Sequence, residues 1–317
     1  MNYPAPAWLP NGHLQTIYPA LCIRKPAVQF RRERWSSPDH DFIDLDFVDG
    51  AAEQPCVVLF HGLEGSSDSH YARALMALLQ SKNWSGVVVH FRGCSGELNR
   101  APRFYHSGDS QEIGWILVRL QSEYAIKHPK AKFFACGVSL GGNALLRWLG
   151  ETQQAASIVD AACAISAPLD LAAGGASLSS GINLIYTRMF LQSLKPKCLK
   201  KLEQFPGLFD KDAMLQAKNL YEFDNVVTAP LHGYRDTNDY WDRASAKHIL
   251  EQIRIPTLVL NAQNDPFLPA QHLPHKASSQ VRLEYPQYGG HVGFAVGSLP
   301  GTLDWLPTRI LHFFEGK

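Results

Sequence analysis

Ser139 is the residue whose surroundings point most clearly to chemistry. It occupies the centre of GVSLG (137–141), which fits the G-x-S-x-G pattern of a serine nucleophile. An apolar, strand-like run precedes this pentapeptide and a helix-like run follows it, as the pattern requires. The glycines permit a sharp, strained turn that exposes the hydroxyl at the carboxyl end of a sheet, beside the positive end of a helix. An incidental serine in a glycine-rich turn is the alternative.

A nucleophilic Ser139 needs a base and a group that orients the base, because a serine hydroxyl is a poor nucleophile at neutral pH. His291 lies in the glycine-rich segment QYGGHVGF (287–294), and Asp265 follows an apolar run. The chain order serine, aspartate, histidine is the one expected on an α/β-hydrolase sheet. We predict that His291 accepts the serine proton and that Asp265 stabilises the imidazolium. The alternatives are a turn-capping role for Asp265 and an acid role for Asp170.

The developing oxyanion of such a reaction needs preorganised donors, each worth on the order of 10²–10³ in rate. The segment LFHGLEGSSDSHY (59–71) supplies a His-Gly turn directly after a strand-like run. We predict the backbone amides of Leu63 and Leu140 as the two donors. His61 is predicted to shape this loop and not to act as a second base.

The elements that position these residues alternate between strand and helix patterns. Asp41–Val48 alternates in polarity, which predicts an antiparallel strand with one solvated side. Apolar runs predict covered strands at 56–60, 86–91, 132–138, 160–166 and 256–262, and helix periodicity occurs at 71–80, 110–124, 143–151 and 302–316. This rhythm predicts an α/β fold, with a mostly parallel central sheet of about eight strands, antiparallel near its N-terminal edge, flanked by helices.

The strand rhythm stops between about residues 171 and 249, where helix-like segments follow one another. We predict a helical cap inserted into a single domain that spans residues 1–317. Apolar residues of this insertion, such as Leu184 and Phe190, either line an acyl pocket or only pack the insertion onto the sheet.

The composition argues against several classes of function. Thirty basic and 29 acidic residues leave a formal charge of +1, so no nucleic-acid partner is expected. The basic stretch Arg24–Arg34 is interpreted as a solvated edge and not as a phosphate-binding arm. No zinc motif, P-loop lysine or dinucleotide-binding glycine pattern occurs in the sequence, so we expect no metal and no nucleotide cofactor.

The cellular setting is also an expectation from composition. The six cysteines are scattered without a C-x-x-C pair, and several lie in apolar runs, which fits a reducing compartment. The N-terminal residues lack a signal-peptide pattern, and no run of 18 apolar residues occurs. We therefore expect a cytoplasmic protein without a transmembrane segment. The sequence does not indicate an oligomeric state.

Seven segments together resemble the YheT-like branch of the α/β-hydrolase superfamily, over nearly the full chain. They are NGHLQTI (11–17), HGLEGSS (61–67), FRGCSG (91–96), YHSGDSQE (105–112), GVSLGGN (137–143), NAQNDPF (261–267) and GGHVGF (289–294). This bacterial group is related to ABHD-type lipases and yeast alcohol acyltransferases. The resemblance implies an α/β-hydrolase fold and esterase activity.

The resemblance implies the same residues that were predicted above. Ser139 is the nucleophile, Asp265 the acid and His291 the base, and the amides of Leu63 and Leu140 bind the oxyanion. His90 stands where a small polar residue is expected in many relatives. His13 and the HSGD segment (106–109) are signatures of the group, and we expect them to have structural roles near the site mouth.

The leading hypothesis is a serine hydrolase that cleaves small-molecule carboxylic esters of short or medium acyl chains through an acyl-enzyme. One alternative is an acyltransferase that delivers the acyl group to an alcohol in a dry pocket. A second is a non-catalytic ligand-binding protein that kept the fold.

Overall fold

An eight-stranded sheet forms the centre of the protein in the computed structural model, which describes residues 2–316. The strands are β1 (Arg31–Ser36), β2 (Phe42–Val48), β3 (Cys56–Phe60), β4 (Ser85–His90), β5 (Phe133–Val138), β6 (Ala161–Ile165), β7 (Thr257–Leu260) and β8 (Val281–Glu284). Their spatial order is β1-β2-β4-β3-β5-β6-β7-β8. The pairs β1–β2 and β2–β4 are antiparallel and the others parallel, so the predicted fold class is confirmed.

The described residues also form α-helices, some of which cover the two faces of the sheet. They are α1 (Gly12–Leu21), α2 (His70–Ser81), α3 (Ser110–Lys127), α4 (Leu140–Thr152), α5 (Leu171–Leu178), α6 (Leu184–Gln204), α7 (Lys211–Gln216), α8 (Leu220–Phe223), α9 (Ala229–Leu231), α10 (Thr237–Ala244) and α11 (Trp305–Phe314). The side chains of α3 and α4 pack on one face, and those of α2 and α11 pack on the other. Successive strand residues point to opposite faces of the sheet, so the wholly apolar strands contribute side chains to both cores.

The N-terminal edge differs from its prediction in one respect. β2 is antiparallel as expected, but its polar side is not solvated, since Asp44 and Asp46 are each 2% exposed. Their direct partners on β1 are Arg34 and Arg32, whose guanidinium groups bond these carboxylates at 2.7–2.9 Å. The basic stretch therefore supplies the edge strand of the sheet, as well as the cover for the acidic side of β2.

The helical segment, residues 171–252, lies between β6 and β7. It contains α5–α10, a π-helical turn at Asp224–Thr228 and short 3-10 turns, and the structure places no strand between Ile165 and Thr257. Its α-helices have apolar clusters of their own, whereas Ala246, Ile249 and Leu250 near its end belong to the core that also contains side chains of α3 and α4. The strands β1 and β8 and the helix α1 were not predicted as elements.

Candidate active site

Ser139 lies between β5 and α4 in a strained backbone conformation, with φ 51° and ψ −120°. The two glycines of the turn have no room for a side chain. A Cβ at Gly137 would lie 2.4 Å from the Gly141 carbonyl oxygen, and one at Gly141 would lie 2.5 Å from that of Phe60. Real Cβ atoms do not approach backbone this closely, so the sharp turn requires glycine at both positions. The strain predicted at Ser139 is present.

The structure brings the three predicted residues into one hydrogen-bonded chain. His291 Nε2 lies 3.0 Å from Ser139 Oγ, and His291 Nδ1 lies 2.8 Å from Asp265 Oδ2. The other oxygen of Asp265 accepts the Phe267 N–H at 2.8 Å, and the aspartate is only 4% exposed. The Phe267 ring stacks on the imidazole with a centroid distance of 4.0 Å. The imidazole is thus fixed at one edge and over one face.

Asp170, the alternative acid, has a different position. Its side chain accepts from the Ala173 N–H as the N-cap of α5 and pairs with Lys247 at 2.7 Å. It begins a helix of the helical segment, whereas Asp265 occupies the imidazole edge.

The amide of Leu63 is free among the described residues, although its neighbours are all bonded. The N–H of Gly62 donates to the Tyr71 hydroxyl at 2.9 Å, and that of Glu64 donates to the Tyr105 hydroxyl at 2.8 Å. The Leu63 N–H has no acceptor within residues 2–316. A Cβ at Gly62 would lie 3.1 Å from the Ser139 Cβ, so this loop lies directly against the serine.

His61 orients the peptide that carries this amide. Its Nε2 accepts the Phe91 N–H at 3.1 Å, so Nδ1 carries the proton and donates to the Gly62 carbonyl at 2.7 Å. In a trans peptide the C=O and N–H point in opposite directions, so holding the Gly62 carbonyl also aims the Leu63 N–H. Burial lowers the pKa of His61 to about 3, which keeps the ring neutral. The predicted loop-shaping role agrees with these contacts.

The amide of Leu140 is the first of α4, and the first amides of a helix have no intrahelical acceptor. Leu140 and Leu63 both line the same cavity as Ser139. Two residues whose backbone amides are unpaired within residues 2–316 therefore line the same cavity as the serine, and their role as oxyanion donors stays a prediction.

This cavity, of about 130 Å³, is formed between the sheet edge and the helical segment and has mostly apolar walls. Besides Ser139, Leu63 and Leu140, its lining includes Phe104, Tyr105, Pro168, Leu171, Leu178, Phe190, Leu194, Cys198, Leu220, Phe223, Val227, Tyr240, Trp241 and Phe267. Phe190 is thus part of the wall, whereas Leu184 lines a separate groove on the outside of α6.

A polar cluster interrupts the apolar wall next to the free amide. The Glu64 carboxylate pairs with Lys197 of α6 at 2.7 Å and accepts from the Tyr105 hydroxyl at 2.9 Å and from the Ser193 hydroxyl. Glu64 itself has φ 55°, outside the range that most residues adopt. These bonds connect the loop that carries Leu63 to the helical segment.

The two signature segments that were expected to have structural roles lie at the cavity and on α1. In the HSGD segment, His106 and Ser107 line the cavity, and the Ser107 carbonyl accepts from Asn143 Nδ2 at 2.8 Å. His13 Nδ1 lies 3.1 Å from the Tyr186 hydroxyl of α6. Neither hydrogen bond involves Ser139, Asp265 or His291, and the structural role of both segments stays a prediction.

Sequence reasoning missed the residues that hold the site loops. They are Tyr71, Tyr105, Gln15, Thr16 and Asn264, all with side chains bonded to a loop that carries a site residue. The available signals were the signature segments NGHLQTI (11–17), YHSGDSQE (105–112) and NAQNDPF (261–267), which contain four of these five residues. Asn11 added a local one, because asparagine is a preferred N-cap and here accepts the Leu14 N–H.

Two further observations concern ligands and membranes. Within residues 2–316, no group of three or more His, Cys, Asp or Glu side chains is arranged to hold a metal ion. None of the described helices combines the length and the apolarity needed to cross a membrane.

Comparisons with known proteins agree with this architecture. Residues 55–298 match the family described as alpha/beta hydrolase fold. The chain is 40% identical over 307 residues to "Putative esterase YheT" of Escherichia coli (strain K12), covering 95% of this chain and 89% of that protein. It is 32% identical to "Phospholipase ABHD3" of Mus musculus, covering 99% and 78%. The solved Pyrococcus furiosus esterase Pf2001 superposes with a TM-score of 0.57 at 15% identity, covering 93% and 97% of the two chains, which shows the shared fold.

Proposed function

We propose that this chain, which belongs to the α/β-hydrolase family and to its YheT-like branch, is a serine hydrolase of carboxylic esters. The observation that carries the proposal is the continuous hydrogen-bonded chain from Asp265 through His291 to Ser139, at the wall of an apolar cavity. Leu63 and Leu140 line the same cavity, and in this proposal their backbone amides are the oxyanion donors. The names of the esterase and phospholipase relatives support ester substrates.

The proposed reaction has two halves. Ser139 Oγ attacks the ester carbonyl carbon while His291 Nε2 takes the hydroxyl proton, and the amides of Leu63 and Leu140 bind the oxyanion. His291 then gives the proton to the departing alcohol, which leaves an acyl group on Ser139. A water molecule then attacks the acyl carbon while His291 Nε2 takes a proton from it. The bond between the acyl carbon and Ser139 Oγ breaks, His291 returns the proton to Oγ, and the acid is released. Asp265 holds the imidazole tautomer and stabilises its cation throughout.

We infer that the helical segment acts as the cap of this site. Its residues Leu171, Phe190 and Leu194 form part of the cavity wall, which is suited to bury an acyl chain of short or medium length. The free energy gained on burial is about 0.8 kcal/mol per methylene, so chain length should affect the affinity of the substrate.

The test is a panel of acyl esters of two to sixteen carbons, with the wild type and Ser139→Ala compared. We expect hydrolysis of short or medium chains that the substitution lowers by about 10⁴-fold or more. Hydrolysis by Ser139→Ala at the wild-type rate would refute the proposal. Addition of ethanol tests acyl transfer, since ethyl ester in excess of free acid would make the protein an acyltransferase instead. If the protein binds the esters and converts none of them, it is a binding protein.

A further inference from the structure

α1 contacts the loops of both the acid and the base, although it lies outside the residues that match the α/β-hydrolase family. Thr16 Oγ1 accepts the His291 N–H at 2.9 Å and donates to the Gly12 carbonyl at 2.7 Å. The hydroxyl therefore joins the backbone of the base directly to the helix. Thr16 is 8% exposed, so water cannot readily replace this contact.

Gln15 bridges the two loops with one side chain. Its Oε1 accepts the Gly289 N–H at 2.7 Å, two residues before the base, and the Asn264 Nδ2–H at 2.9 Å, one residue before the acid. Its Nε2 donates to the Leu9 carbonyl at 2.7 Å. Gln15 is 1% exposed, and all three contacts are therefore made in a water-poor environment.

The backbone of α1 packs directly against the backbone of these loops. A Cβ at Gly12 would lie 1.9 Å from the Asn264 carbonyl oxygen, and one at Gly293 would lie 1.7 Å from that of Gln15. The helix thus rests directly on main chain of the acid loop and the base loop. Glycine at both positions makes this approach possible.

We propose that Gln15 and Thr16 are positioning residues, which set the distance between the acid and the base and hold His291 against Ser139. The inference rests on the proposed function, because it concerns the same three residues. Misplacement of a reacting group by 1 Å lowers the rate by about 10²-fold. Loss of the contacts from α1 should therefore lower kcat as well as stability.

The closing experiment uses the nearly isosteric substitution Thr16→Val, which deletes the acceptor of the His291 N–H. Thr308→Val is the matched control. The Thr308 hydroxyl on α11 donates to the Asp304 carbonyl at 2.7 Å, just as the Thr16 hydroxyl donates to the Gly12 carbonyl. Thr16→Ser retains the hydroxyl. We expect Thr16→Val to lower kcat about 10–100-fold with KM within about twofold, and Thr16→Ser and Thr308→Val to stay near wild type.

A spectroscopic measurement separates this inference from the proposed function. In the NMR spectrum of ¹⁵N-histidine-labelled protein, the signal of the proton between His291 Nδ1 and Asp265 is assigned because it is absent from the spectrum of His291→Gln. Thr16→Val should speed the exchange of this proton with water about tenfold or more, even if no ester is cleaved, whereas Thr308→Val should not. Gln15→Met should act in the same direction and lower the melting temperature, since it leaves buried amides unpaired.

Unchanged kcat and unchanged proton exchange in Thr16→Val would overturn the inference, and so would equal losses in Thr16→Val and Thr308→Val. Failure of the wild type to cleave or transfer any acyl group would instead refute the proposed function. The proton exchange rates would then still decide the role of α1.

Discussion

The carboxyl edge of the sheet and the helical segment hold the same cavity by different means. At the sheet edge, main chain packs on main chain, and positions such as Gly137 and Gly141 have no space for even a methyl group. Across the cavity, contact depends on longer side chains, among them the Glu64–Lys197 pair between the Leu63 loop and α6.

The difference shows which parts of the site are held rigidly and which parts tolerate substitution. Ser139, the group that would attack the ester, is fixed by backbone geometry, since the turn itself holds it at φ 51°. The groups that would contact the acyl chain are held by side chains, which are able to change without moving the serine. The predictions below separate the two regions, beginning with the largest effect.

Asp265→Asn should abolish most activity at the sheet edge. The amide would favour the wrong tautomer of His291 and could not stabilise its cation, a change that costs about 10⁴-fold in kcat in such triads. Steady-state kinetics on a short-chain ester would measure the loss. Asp170→Asn, which alters a helix cap in the other region, is the control and should retain activity within about tenfold. A larger loss in Asp170→Asn than in Asp265→Asn would contradict the assignment.

A glycine-to-alanine pair compares the packing of the two regions. Gly141→Ala places a methyl group 2.5 Å from backbone oxygen and should destabilise the fold by about 3 kcal/mol or more. Gly174→Ala, within α5, meets its nearest atom at 3.4 Å and should be neutral or stabilising by up to about 1 kcal/mol. Urea unfolding would measure both. Equal effects would show that the sheet edge has no special rigidity.

Lys197→Met tests the link between the regions. The Glu64 side chain is 9% exposed and would lose its cation, which should lower the free energy of unfolding by about 1–2 kcal/mol. Because Glu64 follows Leu63, kcat should also fall, by about tenfold. Lys200→Met removes an exposed lysine from the same helix and should change neither quantity. If the two variants behave alike, α6 does not support the oxyanion loop.

We expect Asp224 to make the stability of the helical segment depend on pH. Burial raises the pKa of this carboxyl to about 6, while the Thr228 hydroxyl and the Trp241 N–H donate to it. The raised pKa means that the folded state binds the proton more tightly, so the stabilisation is complete below about pH 4 and is lost as the pH rises through 6. The melting temperature of the wild type relative to Asp224→Asn should therefore fall across this interval. A constant difference would contradict the prediction.

Most of the sheet and the hydroxyl, imidazole and carboxylate of the site could be predicted from local patterns. The strands β3 to β7 are continuous apolar segments. The five residues of G-x-S-x-G predict a sharp turn by themselves, because the glycines leave room for it. The order of Ser139, Asp265 and His291 along the chain then selected the acid and the base, which the structure places within hydrogen-bonding distance.

The remaining features depend on contacts between distant parts of the chain. Gln15 meets Gly289 across 274 positions, and no periodicity near either residue indicates the contact. β1 contains three arginines, which locally indicate a charged surface segment. It is a strand because Asp44 and Asp46 of β2 lie opposite Arg34 and Arg32. The short β8 has only partly buried or exposed residues, VRLE, and lacks the apolar run that marked the other parallel strands. Tertiary pairing decided these elements, not local propensity.

The central claim is that Ser139 is an activated nucleophile, and the most direct measurement is covalent labelling of the folded protein by a fluorophosphonate. Intact-mass and peptide mass spectrometry should find one adduct, on Ser139, which is absent in Ser139→Ala and forms much more slowly in Asp265→Asn. A folded wild-type protein that remains unlabelled, or carries the label on another residue, would contradict the account.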